Sequence, residues 1–179
     1  MLHEESSYRR FLSGDQAAFD EILNQHRLHL ILFIDRIVRD PDVAEDLAID
    51  VFVDLLVHPR RYDFRISLKS YLFMRGRSLA LDWLRRRKRI AFYELPHDIS
   101  DDTDLEAQLL LDEQKAALNT ALKQLPEDMQ QALYLIYFED LSYREAAVVM
   151  KKTEKQMDNL LYRGKERLRT VLKKEAYEL

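Results

Sequence analysis

Apolar residues recur at intervals of three and four along most of this chain, while strand-like alternation is hard to find. After a Ser13-Gly14 break, a stripe of Phe19, Ile22, Leu23, Leu30, Ile34 and Ile37 predicts a helix from near Asp15 to about Val38. Asp40-Pro41 stops it and starts the next, with Asp as N-cap and Pro at the first helical position. This second helix, roughly 42–57, has Val43, Leu47, Val51 and Leu55 on one face. Glu45, Asp46, Asp50 and Asp54 occupy much of the rest, either as a solvated face or as a docking surface. Residues 58–66, HPRRYDFRI, lose the period at Pro59 and read as a loop. Ser67 then caps a long third helix, about 68–89. Leu68, Leu72, Leu79 and Trp83 share one side of it, and Tyr71, Arg75, Ser78, Asp82 and Arg85 a neighbouring face.

Beyond it, about residues 90–102, the period weakens around Pro96 and the stretch reads as a linker. Thr103 and Glu106 have capping-box spacing and predict a helix to about Gln124; Leu125-Pro126 breaks it and starts another to about Phe138. The segment 141–174, LSYREAAVVMKKTEKQMDNLLYRGKERLRTVLKK, carries two more capping boxes, Ser142 with Glu145 and Thr153 with Gln156. A short helix, a turn of a few residues and a longer helix make the helix-turn-helix pattern. In the longer helix Met157, Leu161, Leu168 and Leu172 share a face. Lys155, Gln156, Asn159, Arg163, Lys165, Arg167, Arg169, Lys173 and Lys174 fill the others. An amphipathic helix with a solvated charged face is the plain alternative. The two caps at this spacing, followed by basic side chains, favour DNA.

Composition agrees with an all-α reading. Three glycines and four prolines in 179 residues leave little material for hairpin turns. The absence of cysteine excludes disulfides and zinc fingers and fits a reducing cytosol. No apolar run approaches the ~18 residues that span a membrane, and MLHEESSYRR lacks a signal-peptide core, so cytoplasmic location without membrane insertion is expected. The net charge of −4 hides a division. Arg75, Arg77, Arg85, Arg86, Arg87, Lys88 and Arg89 crowd one stretch; residues 91–114 hold no Lys or Arg but eight acids; the C-terminal helix is basic again. Two cationic surfaces flank an anionic connector. The loop mixture of Arg60, Arg61, Tyr62, Phe64 and Arg65 suits unpaired bases, with rings for stacking and guanidinium groups for phosphate. A surface loop whose aromatics pack into the core is the alternative.

In this order the fragments resemble a bacterial RNA polymerase sigma factor of the extracytoplasmic-function type, over nearly the whole chain. AEDL (Ala44 to Leu47) with DVF (Asp50 to Phe52) resembles that family's core-polymerase-binding helix. SLKSYL (Ser67 to Leu72) with LDWLRRRKR (Leu81 to Arg89) is similar to its promoter-melting helix. Leu125-Pro126, LSYREAA (Leu141 to Ala147) and LLYRGKERL (Leu160 to Leu168) resemble the domain that reads the minus-35 element. The chain departs from the family at Ile49, commonly Gln; Tyr71, commonly Trp; Ser78, commonly Asn; Lys151, often Gly; and Asp158, frequently basic.

The resemblance implies a non-enzymatic initiation factor without cofactor, whose partners are core RNA polymerase, promoter DNA and, as a further candidate, an anti-sigma factor. Residues 1–90 would form a region 2-like bundle, 91–103 an acidic linker threading toward the RNA exit channel, and 104–179 a region 4-like helix-turn-helix domain. Glu45, Asp46 and Asp50 are then the expected polymerase contacts. Arg61, Tyr62, Tyr71, Arg75, Ser78, Arg85 and Arg86 are expected at the melted minus-10 strand, and Thr153, Lys155, Gln156, Asn159 and Arg163 at minus-35 duplex. No appended C-terminal regulatory domain is expected. A helix-turn-helix regulator acting without polymerase would leave the AEDL helix and the basic third helix without a role. An enzyme is disfavoured, since the five histidines match no metal motif and the acidic stretch does not match a calcium loop.

Overall fold

The structure, a computed structural model, describes residues 2–93 and 113–177. The expected Thr103–Glu106 capping box and most of the expected linker lie outside the described residues. Among those described, eight α-helices and one short 3-10 turn make up the regular structure, and none is a strand. The chain divides into two compact units, Met1–Thr103 and Asp104–Leu179.

The first unit contains α1 (Leu2–Leu12), α2 (Ala17–Val38), α3 (Pro41–Val57), a 3-10 turn (Pro59–Arg61) and α4 (Leu68–Tyr93). Helix α2 is its axis and packs against the other three. It buries Phe19, Ile22, Leu30, Phe33, Ile34 and Ile37. Each such side chain contributes roughly 1.5–3 kcal/mol of transfer free energy. Arg39 ends α2 in the left-handed region at φ 55. Asp40 then accepts a hydrogen bond from Val43 N at 3.2 Å, and Pro41 sits at the first helical position. Ser67 Oγ accepts from Ser70 N at 3.2 Å and so opens α4. That helix runs through Tyr93, past the expected end near Arg89. Gly76 lets α4 approach α2 closely: a Cβ there would lie 2.9 Å from Leu30 Cδ1 and 3.1 Å from Ile34 Cδ1.

Helix α1 was not expected from the sequence. It turns back at Gly14, whose φ of 106 suits glycine, and Arg10 pairs with Asp15 at 2.6 Å and Glu21 at 3.1 Å across the bend. These pairs are fully solvated and add little. Fully buried Tyr8 anchors the helix.

The second unit contains α5 (Glu113–Lys123), α6 (Glu127–Tyr137), α7 (Tyr143–Met150) and α8 (Glu154–Tyr177). Its core is formed by Leu122, Met129, Leu133, Tyr134, Val149, Met157 and Leu161. Buried Gln130 donates from Nε2 to Lys123 O at 3.0 Å and Leu125 O at 2.6 Å, satisfying carbonyls released where α5 ends. The capping box at Ser142 is complete: its Oγ accepts from Glu145 N at 3.3 Å, and Glu145 Oε2 accepts from Ser142 N at 2.9 Å.

The turn between α7 and α8 is a Schellman motif. Lys151 N donates to Val148 O at 3.1 Å and Lys152 N to Ala147 O at 2.9 Å, with Lys151 left-handed at φ 53. Two stability predictions follow from these backbone positions. Lys151→Gly relieves the Cβ penalty and is expected to stabilise the second unit by roughly 0.5–1 kcal/mol, read as a rise in its thermal midpoint. Gly76→Val is expected to cost the first unit about 1–3 kcal/mol in urea denaturation, because Leu30 and Ile34 must leave their rotamers. An unchanged midpoint for either variant contradicts the corresponding account.

Candidate nucleic-acid interface

In the second unit, Lys155, Gln156, Asn159 and Arg163 on α8, and Thr153 just before it, are all exposed. Lys155, Asn159 and Arg163 recur every four residues and so share a face. Thr153 Oγ1 accepts from Gln156 N at 3.2 Å, and Gln156 Oε1 accepts from Thr153 N at 2.9 Å. Gln156 therefore spends its carbonyl on the cap. Asp158 is exposed one turn from Lys155 and reduces the positive charge of this end. Lys165 is engaged within the protein: its Nζ donates to Tyr143 OH at 3.1 Å and lies 5.8 Å from the Tyr137 and Tyr143 ring centroids. Hydrogen bonding to the two tyrosines raises its pKa, so it stays charged while tying α8 to α7.

In the first unit the expected minus-10 residues divide into two groups. Arg61, Arg85 and Arg86 are exposed, and Arg75 and Ser78 half-buried. Tyr62 and Tyr71 are buried, at 2 % and 8 % exposure. Their rings lie 5.2 Å apart within a cluster that includes Tyr8 and Phe64. Neither ring offers an open face to a base in this conformation. Tyr62 instead closes the loop on itself, its phenol donating to Ile66 O at 2.9 Å. Burial raises the Tyr71 pKa, against the opposing charge of Arg75. The alternative in which the loop's aromatics pack into the core describes these rings.

Sequence reasoning missed what holds the cations. Asp54, on α3, pairs with Arg61 from the loop and with Arg75 Nη2 from α4 at 3.3 Å, and His58 Nε2 lies 4.0 Å away. One carboxylate thus gathers two of the predicted DNA-binding guanidinium groups. A cleft of about 420 Å³ beside it is lined by Val57, His58, Pro59, Arg60 and Arg61. Further along α4, Arg85 pairs with Asp82 at 2.8 Å, and the Arg87 guanidinium lies 5.1 Å from the Trp83 ring centroid.

The loop also holds a backbone outlier. Phe64 has φ 61, a left-handed conformation that costs a bulky L-residue on the order of 1–3 kcal/mol. Tyr8 buttresses it from α1. The Tyr8 phenol donates to Pro59 O at 2.9 Å and reaches Leu55 O at 3.4 Å. Burial, reinforced by Tyr71, pushes its pKa up to about 12, so it remains a donor at any physiological pH.

The expected polymerase-binding residues lie on α3. Glu45, Asp46 and Asp50 are exposed. Arg27 from α2 pairs with Glu45, whereas Asp46 and Asp50 have no ion-pair partner among the described residues. Beside these acids, Ile49, Val53, Leu56 and Val57 leave an apolar strip uncovered, with Val57 61 % exposed. Among the described residues no helix is long and apolar enough to cross a membrane.

Comparison with known proteins places both units. Residues 9–90 match the family model of sigma-70 region 2, and residues 115–168 that of sigma-70 region 4. The ECF RNA polymerase sigma factor SigM of Bacillus subtilis is 26 % identical over 161 residues, covering 85 % of this chain and 93 % of that protein. SigE of Mycolicibacterium smegmatis, also an ECF RNA polymerase sigma factor, is 30 % identical over 174 residues, 93 % of this chain and 67 % of that one. Two solved structures share the fold. The sigma factor RpoE of Bartonella quintana, in complex with the anti-sigma factor NepR, has a TM-score of 0.67 at 22 % identity, over 87 % of this chain and 96 % of that one. CnrH, in complex with the cytosolic domain of CnrY, has a TM-score of 0.69 at 19 % identity, over 96 % and 97 %. With region 2 and region 4 matched in order and a 30 % identical relative aligned along most of its length, the chain belongs to the sigma-70 family of RNA polymerase sigma factors, in its ECF group, which directs promoter-specific initiation of transcription.

Proposed function

We propose a division of labour residue by residue. On α3, Asp46 and Asp50 with the Ile49, Val53, Leu56 and Val57 strip dock on core polymerase, the acids steering encounter and the apolar strip supplying buried area. The observation that carries this is an acidic face whose apolar neighbours stay uncovered when α1, α2 and α4 have buried the rest of the unit. Glu45 contributes less directly, being paired with Arg27. An anti-sigma factor, such as the partner seen with the Bartonella protein, would gain most by covering the same strip.

At minus-10, Arg61, Arg75, Arg85 and Arg86 hold the backbone of the non-template strand, and Ser78 offers a short hydrogen-bonding group. Tyr62 and Tyr71 take part as the floor of the loop, and stacking on them requires the aromatic cluster to open. Asp54 competes with phosphate for Arg61 and Arg75, so strand capture exchanges one anion for another. At minus-35, Lys155 and Arg163 suit phosphate or guanine, and Asn159 and the Gln156 NH2 suit base edges, with Thr153 setting the helix end. Nothing in this work requires making or breaking a covalent bond, so the protein acts as a non-enzymatic factor, in the cytoplasm beside its polymerase.

Reversing both carboxylates, Asp46→Lys with Asp50→Lys, is expected to weaken co-elution with sigma-free core polymerase by about tenfold or more. Undiminished binding at unchanged thermal midpoint would remove α3 from the interface. Asp54→Asn is expected to tighten binding of a fluorescein-labelled 12-nucleotide oligo(dT) by roughly threefold to tenfold, measured by anisotropy at fixed salt, because Arg61 and Arg75 lose their competitor. Unchanged or weaker binding by the folded variant would refute that competition.

A further inference from the structure

Tyr8 and Arg9 lie some fifty residues before the 58–66 loop in sequence, yet both reach it from α1. The Tyr8 phenol donates to Pro59 O, in the 3-10 turn, and reaches Leu55 O, in the last turn of α3, whose usual donor four residues on is the proline nitrogen of Pro59. Its ring stands edge-on to Tyr62, with centroids 5.3 Å apart, and lies 5.9 Å from Phe64. The exposed Arg9 guanidinium sits 4.1 Å from the Phe64 ring centroid, within cation–π range. Phe64 is the residue whose backbone is left-handed. Its ring is thus sandwiched between a cation and a tyrosine cluster, while an Asx turn, Arg65 N donating to Asp63 Oδ1 at 3.2 Å, spans its backbone. Loss of the ring contacts would leave that local bond alone against relaxation to the extended region. Such relaxation would turn the Asp63–Phe64–Arg65 backbone and carry Arg61 and Arg65 away from the strand path.

We propose that α1 is a bracket for the base-capturing loop, with Tyr8 and Arg9 as positioning residues that hold Phe64 in its left-handed conformation and so set base preference at the melted element. This rests on assigning the 58–66 loop to minus-10 capture. Neither residue touches DNA in this role. Tyr8 fixes where the loop leaves α3, and Arg9 fixes its tip. The loop therefore reaches polymerase already shaped, and little ordering remains to be done when a base arrives.

The test uses holoenzyme assembled from the full chain and core polymerase. The probe is a duplex DNA pool randomised over the minus-35 and minus-10 segments; templates retained in heparin-resistant complexes are sequenced. Tyr8→Phe, which keeps the ring, and Arg9→Ala, which alters an exposed side chain, are each expected to flatten minus-10 base preference by about fivefold to tenfold. Minus-35 preference and core co-elution stay unchanged, and Arg9→Lys restores much of the loss. Full minus-10 preference in both folded variants overturns the proposal. So does a parallel loss at both elements with a lowered thermal midpoint, which is what a merely structural role gives. Should Tyr8→Phe fail to fold, Arg9→Ala carries the comparison alone. A wild-type holoenzyme that selects minus-35 bases but none at minus-10 overturns the assignment of the loop itself, and the proposal with it.

Discussion

Each surface this protein offers to a partner starts at a helix end, and helix ends are where an α-helical chain leaves backbone groups unsatisfied. Four N–H groups at one terminus and four carbonyls at the other need partners, so where a cap sits decides where a surface can begin. Asp40 with Pro41 sets the start of the acidic helix α3, Ser67 that of the basic helix α4, and Ser142 and Thr153 those of the helix-turn-helix pair. Because the Thr153–Gln156 box closes the first turn of α8, Lys155, Asn159 and Arg163 emerge in a fixed register from a fixed origin. A slip of one residue would rotate them by about 100°, since the helix has 3.6 residues per turn. The caps thus aim the side chains as well as stabilising the helices.

Charge is arranged with the same economy. The cations that would serve a DNA strand are not left free in the first unit: Arg61 and Arg75 share Asp54, and Arg85 leans on Asp82. The Arg85–Asp82 pair is exposed and its energy modest, on the order of a kcal/mol, whereas Asp54 is largely buried between its two arginines. A phosphate backbone, with counterions to release, outcompetes such partners where isolated anions do not. An overall charge of −4 is therefore compatible with strand binding. The cations proposed for the strand are held meanwhile by internal partners.

Much of this was legible in the sequence because caps and periodicity are local. Helices α2, α3 and α4, the break at Leu125-Pro126 and both halves of the helix-turn-helix follow from residues a few positions apart. Helix α1 was not legible. Its apolar residues, Leu2, Tyr8, Phe11 and Leu12, make too thin a stripe, and it is held by Tyr8 reaching Leu55 and Pro59. Tertiary contact overrides weak local preference there. The aromatics of HPRRYDFRI left two readings open for a related reason. A ring beside arginines has the same local signature whether it waits for a base or packs inward, and only the arrival of Tyr8 from α1 decides that Tyr62 is buried. Asp54 was visible as one more acid on an acidic helix. Its pairing with Arg61 and Arg75 depends on how α4 crosses α3.

Two residues in the same left-handed backbone region show how differently strain can be held. Lys151 sits at φ 53 in a turn whose two backbone hydrogen bonds require that geometry, and its exposed side chain contributes nothing to it. The turn imposes the conformation and the residue bears it. Phe64, at φ 61, is spanned by an Asx turn in which Arg65 N donates to Asp63 Oδ1 at 3.2 Å, and its ring is packed by the Tyr62 ring at 4.7 Å, the Tyr8 ring at 5.9 Å and the Arg9 guanidinium. Here the ring's contacts and the Asp63 carboxylate hold the conformation together. The first kind of strain is held by backbone hydrogen bonds within the turn itself. The second depends in part on the ring's neighbours, which ties the shape of the 58–66 loop to contacts made from α1.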